Sequence, residues 1–243
     1  MVETGNRLNR SHARRESYIV SVLVLSALGG WGVQDLTWGA EPAEQERVIE
    51  GMVRLQAARF ETLESYTRIQ HYSVTTDRFG LKAELVVRLR RDRVKGKDYE
   101  VLSRSGSAVI QTHVFEPLLE AEVASSHQGE LLTRGNYSFR LVGQEEFGGR
   151  KCYVLETEPK HKDKRLLKGR VWLDQRDFGV VHVEGRPSES LSFWVGRPMI
   201  VQDFTEIDGF WWVTRRRSYI DNMWLGKSDL VIDYSDYKFD SRQ

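Results

Sequence analysis

The sequence predicts a mainly antiparallel β fold with helices laid over one face of the sheet. Three observations carry this. From Tyr66 onward the chain is a succession of short β-branched and aromatic runs separated by turn residues. Those runs follow one another without the βαβ alternation of a parallel sheet and without a repeat of 20 to 50 residues. Ahead of them stands one long segment with helical periodicity.

In that segment, Ala43 to Tyr66, the apolar residues Val48, Met52, Val53, Leu55, Phe60 and Leu63 recur at spacings near three and four, and Pro42 stands at its start, where proline is tolerated. An amphipathic helix is expected. Strands are expected at 66–75 and 82–91, joined by the turn Asp77-Arg78-Phe79-Gly80. In the second, Ala83, Leu85, Val87 and Leu89 share one face, while Lys82, Glu84, Val86, Arg88 and Arg90 share the other. One face is therefore apolar and the other mostly wet. Residues 98–104 continue the sheet. The segment 114–128, with Phe115, Leu118, Leu119 and Val123, reads as a second helix, with Pro117 in its first turn. Further strands are expected at 137–145, 150–159, 165–173, 179–184, 190–195, 199–207, 210–220 and 227–238. Phe147-Gly148-Gly149-Arg150, Asp177-Phe178-Gly179 and Asp208-Gly209 supply hairpin turns. The successive strands imply one strongly bent antiparallel sheet, with the first helix against its concave side.

Residues 1–40 read as an export leader. Arg7, Arg10, Arg14 and Arg15 outnumber Glu3 and Glu16, and the apolar stretch Tyr18 to Val33 is the length of a signal-peptide core rather than of a spanning helix. Gly29-Gly30 would weaken a permanent membrane helix. Cleavage is expected after Gly39 or Ala40, leaving 41–243 as a single domain and placing it in the periplasm, or anchored if the leader is retained. No cysteine near this boundary could accept a lipid.

The 243 residues are 40% apolar, 11% aromatic and 29% charged, enough for a core and too charged for a multispanning membrane protein. Thirty-six basic residues against 35 acidic ones give no field that would favour nucleic acid. Cys152, the single cysteine, excludes an intramolecular disulfide and any multi-cysteine metal site, and reads as a small buried apolar residue in a strand.

Catalytic constellations do not stand out. The six histidines form no HExxH-type pair, and Asp174 and Asp177 fit a hairpin turn better than an acid/base pair. There is no GxSxG, P-loop or dinucleotide fingerprint, so neither catalysis, metal nor cofactor is expected. Arg215-Arg216-Arg217 alternates in a strand, which sets Arg215 and Arg217 together on a solvated face. The run 160–165 reads as an exposed loop.

The runs Cys152–Lys160, Lys168–Asp174, Ser192–Val195 and Leu230–Tyr237 occur in an order that resembles the periplasmic, LolA-like superfamily of outer-membrane lipoprotein-sorting proteins, in a divergent branch, over residues 43–240. The resemblance implies a curved, incompletely closed β-barrel with helices over the concave face and an apolar cavity between. It also implies a cargo of lipid or acylated lipoprotein, handed between membrane donor and acceptor proteins. A sensor or regulatory module that binds such a lipid with the same fold is the alternative. The last third of the chain is dense in Trp172, Phe193, Trp194, Trp211, Trp212 and Trp224. Leu85, Val87, Trp172, Phe193 and Trp212 are the expected cavity lining. Trp211 and Trp212, being adjacent, must face opposite ways.

Overall fold

The computed structural model describes residues 41–125, 132–191, 196–222 and 226–241. The leader and Phe193 lie outside these residues. Helix α1 (Pro42–Thr62) leads into a sheet of β1 (Leu63–Thr76), β2 (Lys82–Asp92) and β3 (Gly96–Gly106). A helical run follows, made of α2 (Ala108–Ile110), a π-helical turn (Gln111–Phe115) and α3 (Glu116–Ala124). The chain then meanders through β4 (Tyr137–Phe147), β5 (Arg150–Pro159), β6 (Leu167–Asp174), β7 (Val180–Pro187), β8 (Met199–Ile207), β9 (Phe210–Asn222) and β10 (Gly226–Ser241).

All ten strands join in one curved, open antiparallel sheet, in the order β3-β2-β1-β10-β9-β8-β7-β6-β5-β4. Every neighbour is a sequence neighbour except one: β1 and β10, the first and last strands, pair in the interior of the sheet. The expected mainly antiparallel β fold with helices is what the chain adopts. Where a strand was expected at 190–195, β7 pairs directly with β8, as in Val183 opposite Gln202, and residues 192–195 are outside the description.

Cross-strand register sorts the residues by face, because directly opposed residues point the same way. One row runs Leu141, Leu155, Val171, Val183, Gln202, Arg216, Ile232, Tyr72, Leu85, Arg104 across all ten strands. This is the inner face. Its β4–β7 end is covered by α1, whose Val48, Ile49 and Met52 pack on Leu141, Tyr153, Leu155, Val171, Leu173, Val180 and Val183. Its β1–β2 end is covered by the second helical run, where Ile110, Phe115 and Leu119 pack on Tyr72, Val74, Ala83, Leu85, Val87 and Ile232. Burial of about 1.5–3 kcal/mol per large apolar side chain drives both coverings. The opposite row reads Gly143, Val154, Trp172, His182, Asp203, Arg215, Asp233, His71, Val86, Ser103.

Helix α1 stops four residues short of the expected end. Leu63 is extended, its N–H still capping Arg59 O, and Tyr66 is already paired with Arg91 and Phe239. Sheet pairing on both sides of β1 wins over helical periodicity here. The second helical run begins earlier than expected, at Ala108, because Ser107 accepts from Ile110 N and starts a helix there. Pro117 has no N–H to give, and the wider π turn just before it takes up the defect, closing with Glu116 N on Gln111 O.

A buried cationic centre beneath the second helical run

The inner face carries an unusual polar group between its two apolar ends. Alternation along β1 sends Tyr66, Arg68, Gln70, Tyr72 and Val74 to the same side. Arg68 is only 3% exposed. Its guanidinium reaches Glu122 Oε1 of α3 at 3.2 Å and the Tyr237 hydroxyl at 3.4 Å. The rings of Tyr234, Tyr66 and Tyr237 surround it, with centroids 4.6, 5.7 and 5.9 Å away. With the Gln70 amide oriented to face its donors, its oxygen accepts from Arg68 Nε at 2.9 Å and Nη2 at 2.7 Å, and its nitrogen donates to the Tyr72 hydroxyl.

A second cation meets the same carboxylate. Lys97 enters from β3 opposite Arg91, and its buried Nζ donates to Glu122 Oε1 at 3.3 Å, Glu122 O at 3.2 Å and Ser125 Oγ at 3.0 Å. Glu122 thus bridges two buried cations on two strands, and it fastens the end of α3 to the sheet. Burial works against the Arg68 charge, but Tyr66, Tyr237 and Glu122 outweigh it and hold its pKa well above the ordinary guanidinium value. Burial pushes Tyr234 up to about 12 and Tyr72 well above the usual phenol range, so both remain neutral.

Beside this centre stands a ring cluster. Trp212 packs against Tyr66, Tyr237 and Phe239 with centroids 4.8–5.0 Å apart, and the Arg59 guanidinium lies 4.1 Å over its ring. Trp212 is 1% exposed, and its buried Nε1 has no hydrogen-bond acceptor among the described residues. Arg59 donates to Trp211 O at 2.8 Å, which ties α1 to β9.

The structure separates the residues expected to line a cavity. Leu85 and Val87 share a cluster under Phe115 and Leu119, and Trp212 lies on the same face in the neighbouring ring cluster with Leu63, Tyr66 and Leu89. Trp172 belongs to the opposite row, with Cys152, Val154, Val181 and Trp211, and its Nε1 donates to Glu145 at 3.0 Å. The clusters on the inner face are filled by side chains. A cleft of about 580 Å³ lies at the turns around Gly148, Arg150 and Arg176, and one of about 310 Å³ at the junction of β3 and α2, beside Arg104 and Gln111.

Other candidate residues take structural places. Arg215 and Arg217 share the outer face, paired with Asp233 at 3.0 Å and Asp229 at 2.9 Å. Asp174 accepts from Arg150 and Arg176, and Asp177 caps its own turn by accepting from Gly179 N and from Trp211 Nε1. Cys152 is fully buried, and burial pushes its thiol up. No group of three or more metal-ligating side chains occurs among the described residues. No helix among them is long and apolar enough to cross a membrane.

Arg68, Lys97 and Glu122 were absent from the sequence-based site. The available signal was parity: Arg68 stands in step with Tyr66, Tyr72 and Val74, so a buried face there must bury the arginine too. Glu122 carried no such signal, since its partner strands are 25 and 54 residues away.

A family model described as "Uncharacterized protein" matches residues 129–242. None of the curated proteins matches the chain. Among solved structures, a DUF1329 family protein from Desulfovibrio piger is 15% identical, with a TM-score of 0.45, covering 81% of this chain and 93% of that one. A LolA superfamily protein from Nitrosomonas europaea is 14% identical, with a TM-score of 0.43, covering 82% and 94%. An outer membrane lipoprotein-sorting protein domain from Vibrio parahaemolyticus is 15% identical, with a TM-score of 0.42, covering 80% and 93%.

Proposed function

We propose that the protein is a periplasmic binding protein that shields an acyl chain of a lipid or lipoprotein on the inner face of its sheet, beneath the helical run 108–124. One observation carries this reading. That run drives Ile110, Phe115 and Leu119 into an apolar trough formed by Tyr72, Val74, Ala83, Leu85, Val87 and Ile232, while at its far end it is held by polar contacts from Glu122. A cover that is apolar below and fastened by hydrogen bonds at its end exchanges its own apolar residues for a ligand's methylenes, each worth about 0.8 kcal/mol when removed from water.

Leu85 and Val87 form the floor of this site and Trp212 its far wall. Trp172 serves the opposite face. Export through the leader 1–40 would bring the protein to the compartment where such cargo travels, and its donors and acceptors would be membrane proteins. The reading requires no catalytic step and no cofactor.

The test is equilibrium binding of a fluorescent fatty-acyl probe to the mature protein. Probe binding should saturate, be displaced by unlabelled lipid, and weaken about tenfold or more in Leu85→Gln, which loses apolar floor and adds a polar group. Folded protein that binds no probe would overturn the reading. Sequencing the exported protein should give an N-terminus between residues 38 and 44; full-length chain in the cytoplasm would remove the periplasmic part of the proposal.

A further inference from the structure

We infer that the site selects amphiphiles with an anionic head joined directly to the acyl or alkyl chain, and that Glu122 is the internal stand-in for that head. This rests on the acyl-binding reading above and names the ligand class for it.

The charges at the centre set the requirement. Arg68 and Lys97 are both buried, 3% and 5% exposed as side chains, and converge on one carboxylate at 3.2 and 3.3 Å. Among the described residues, the two positive charges share a single negative one. That carboxylate comes from the cover and not from the sheet: Glu122 sits on α3, three residues beyond Leu119, which plugs the trough. Any movement that lifts Leu119 out of the trough takes Glu122 with it. The cations stay behind, because β1 and β3 are held in the sheet.

A neutral chain entering the trough would leave Arg68 and Lys97 facing carbon. Stripping one partner from a buried ion pair is among the most unfavourable changes a protein interior can undergo. An anionic head removes that penalty by taking the place that Glu122 leaves, and it gains charge-assisted hydrogen bonds from a guanidinium and an ammonium. Opening the cover is therefore coupled to the charge of the ligand. The buried Trp212 Nε1, a donor without an acceptor among the described residues, belongs to the ring cluster that shares Tyr66 and Tyr237 with Arg68. It adds another hydrogen-bond donor on the same side. The geometry of Glu122 fits a carboxylate or phosphate monoester equally, since both present oxygens to Arg68 and Lys97.

The experiment compares ligands with one chain and different heads: hexadecanoate, hexadecyl phosphate, hexadecanol and methyl hexadecanoate, each displacing the fluorescent acyl probe from the mature protein. At least one of the two anions should bind about tenfold or more tighter than the alcohol and the ester, and the ranking between the anions identifies the head. Acetate and inorganic phosphate should not displace the probe. Glu122→Gln should tighten every ligand that lifts the cover several-fold, the alcohol included, because it weakens the fastening that each must break, and it should keep the preference for the anions. Lys97→Met, at the rim of the sheet, should reduce the preference for anions with near-native circular dichroism, which keeps the test open if the Glu122 variant does not fold. Equal binding of the four ligands would overturn the inference while leaving the acyl-binding reading intact. Binding of none of them would overturn both.

Discussion

At the scale of single residues, several side chains are fixed by a close approach that leaves no room for alternatives. Gly51 lies in the middle of α1, where glycine is unfavourable by about 1 kcal/mol relative to alanine. A Cβ there would stand 2.3 Å from the ring of Phe178, a residue that itself holds a left-handed backbone with φ 65° and stacks on Tyr153. The absent side chain is what lets the β6–β7 turn dock on the helix. Gly51→Val should therefore destabilise the protein by about 2 kcal/mol through overpacking, read as a lower denaturant midpoint; unchanged stability would mean that the turn does not dock. The buried tyrosines set the alkaline limit. Burial raises both Tyr137 and Tyr234 to about 12. Between the ordinary phenol value near 10 and about 12, the unfolded chain has released these protons and the folded chain has not, so folding stability falls as pH rises. The contribution, about 2–3 kcal/mol per tyrosine, is fully present below pH 10 and lost through pH 12. Denaturation midpoints from pH 9 to 12 should decline steeply, and Tyr137→Phe should flatten part of that decline. On the acid side, burial alone would raise the Asp174 carboxyl, but hydrogen bonds from Arg176 and Arg150 outweigh it and hold it below the usual carboxylate value. That stability is lost as pH falls through the folded pKa.

At the scale of elements, the second helical run is where physical reasoning from sequence met its limit. Its existence and its proline were legible; its start was not, because it depends on the Ser107 cap, nor was its π turn, which depends on which carbonyls Pro117 leaves without a donor. Phe115, at the end of that turn, is completely buried and meets Tyr72 edge-on with centroids 5.8 Å apart. Phe115→Ala should cost about 3–5 kcal/mol, or less if the segment collapses onto β2, and an unchanged m-value would show that the sheet remains intact. Strand β2 was legible in full: Ala83, Leu85, Val87 and Leu89 are buried, as their alternation requires. Strand β1 was harder. Its buried side includes Arg68 and Gln70 while its outer side includes Ile69, so apolarity differs little between the two faces. The free edges are also local solutions. In β3 an extra residue, Leu102, bulges between Val86 opposite Ser103 and Val87 opposite Val101, and in β4 a second bulge falls between Leu141 and Gly143. Both edges carry charges and neither offers a regular ladder to another chain.

At the scale of the whole sheet, the sequence predicted an antiparallel meander, and every hairpin neighbour follows it. The exception could not be read from turns, because no turn joins β1 to β10. That pairing is the seam between two wings, β3-β2-β1 on one side and β10 through β4 on the other. Its consequence is temporal. Tyr234 and Tyr237, two of the rings around Arg68, belong to the last strand, and so does Ile232, which completes the trough. Until β10 is in place, the arginine has no tyrosine cage on that side and remains hydrated. The costly burial of Arg68 is thus deferred until the longest loop closes, a step that sequence separation makes slow. Pulsed hydrogen exchange during refolding should show the β4–β7 wing protected first and β1 protected together with β10. Simultaneous protection of both wings would mean that the seam forms early. A chain still lacking its final strand carries an open wing with a hydrated cation at its centre, and so keeps its inner face wet until the moment it is sealed.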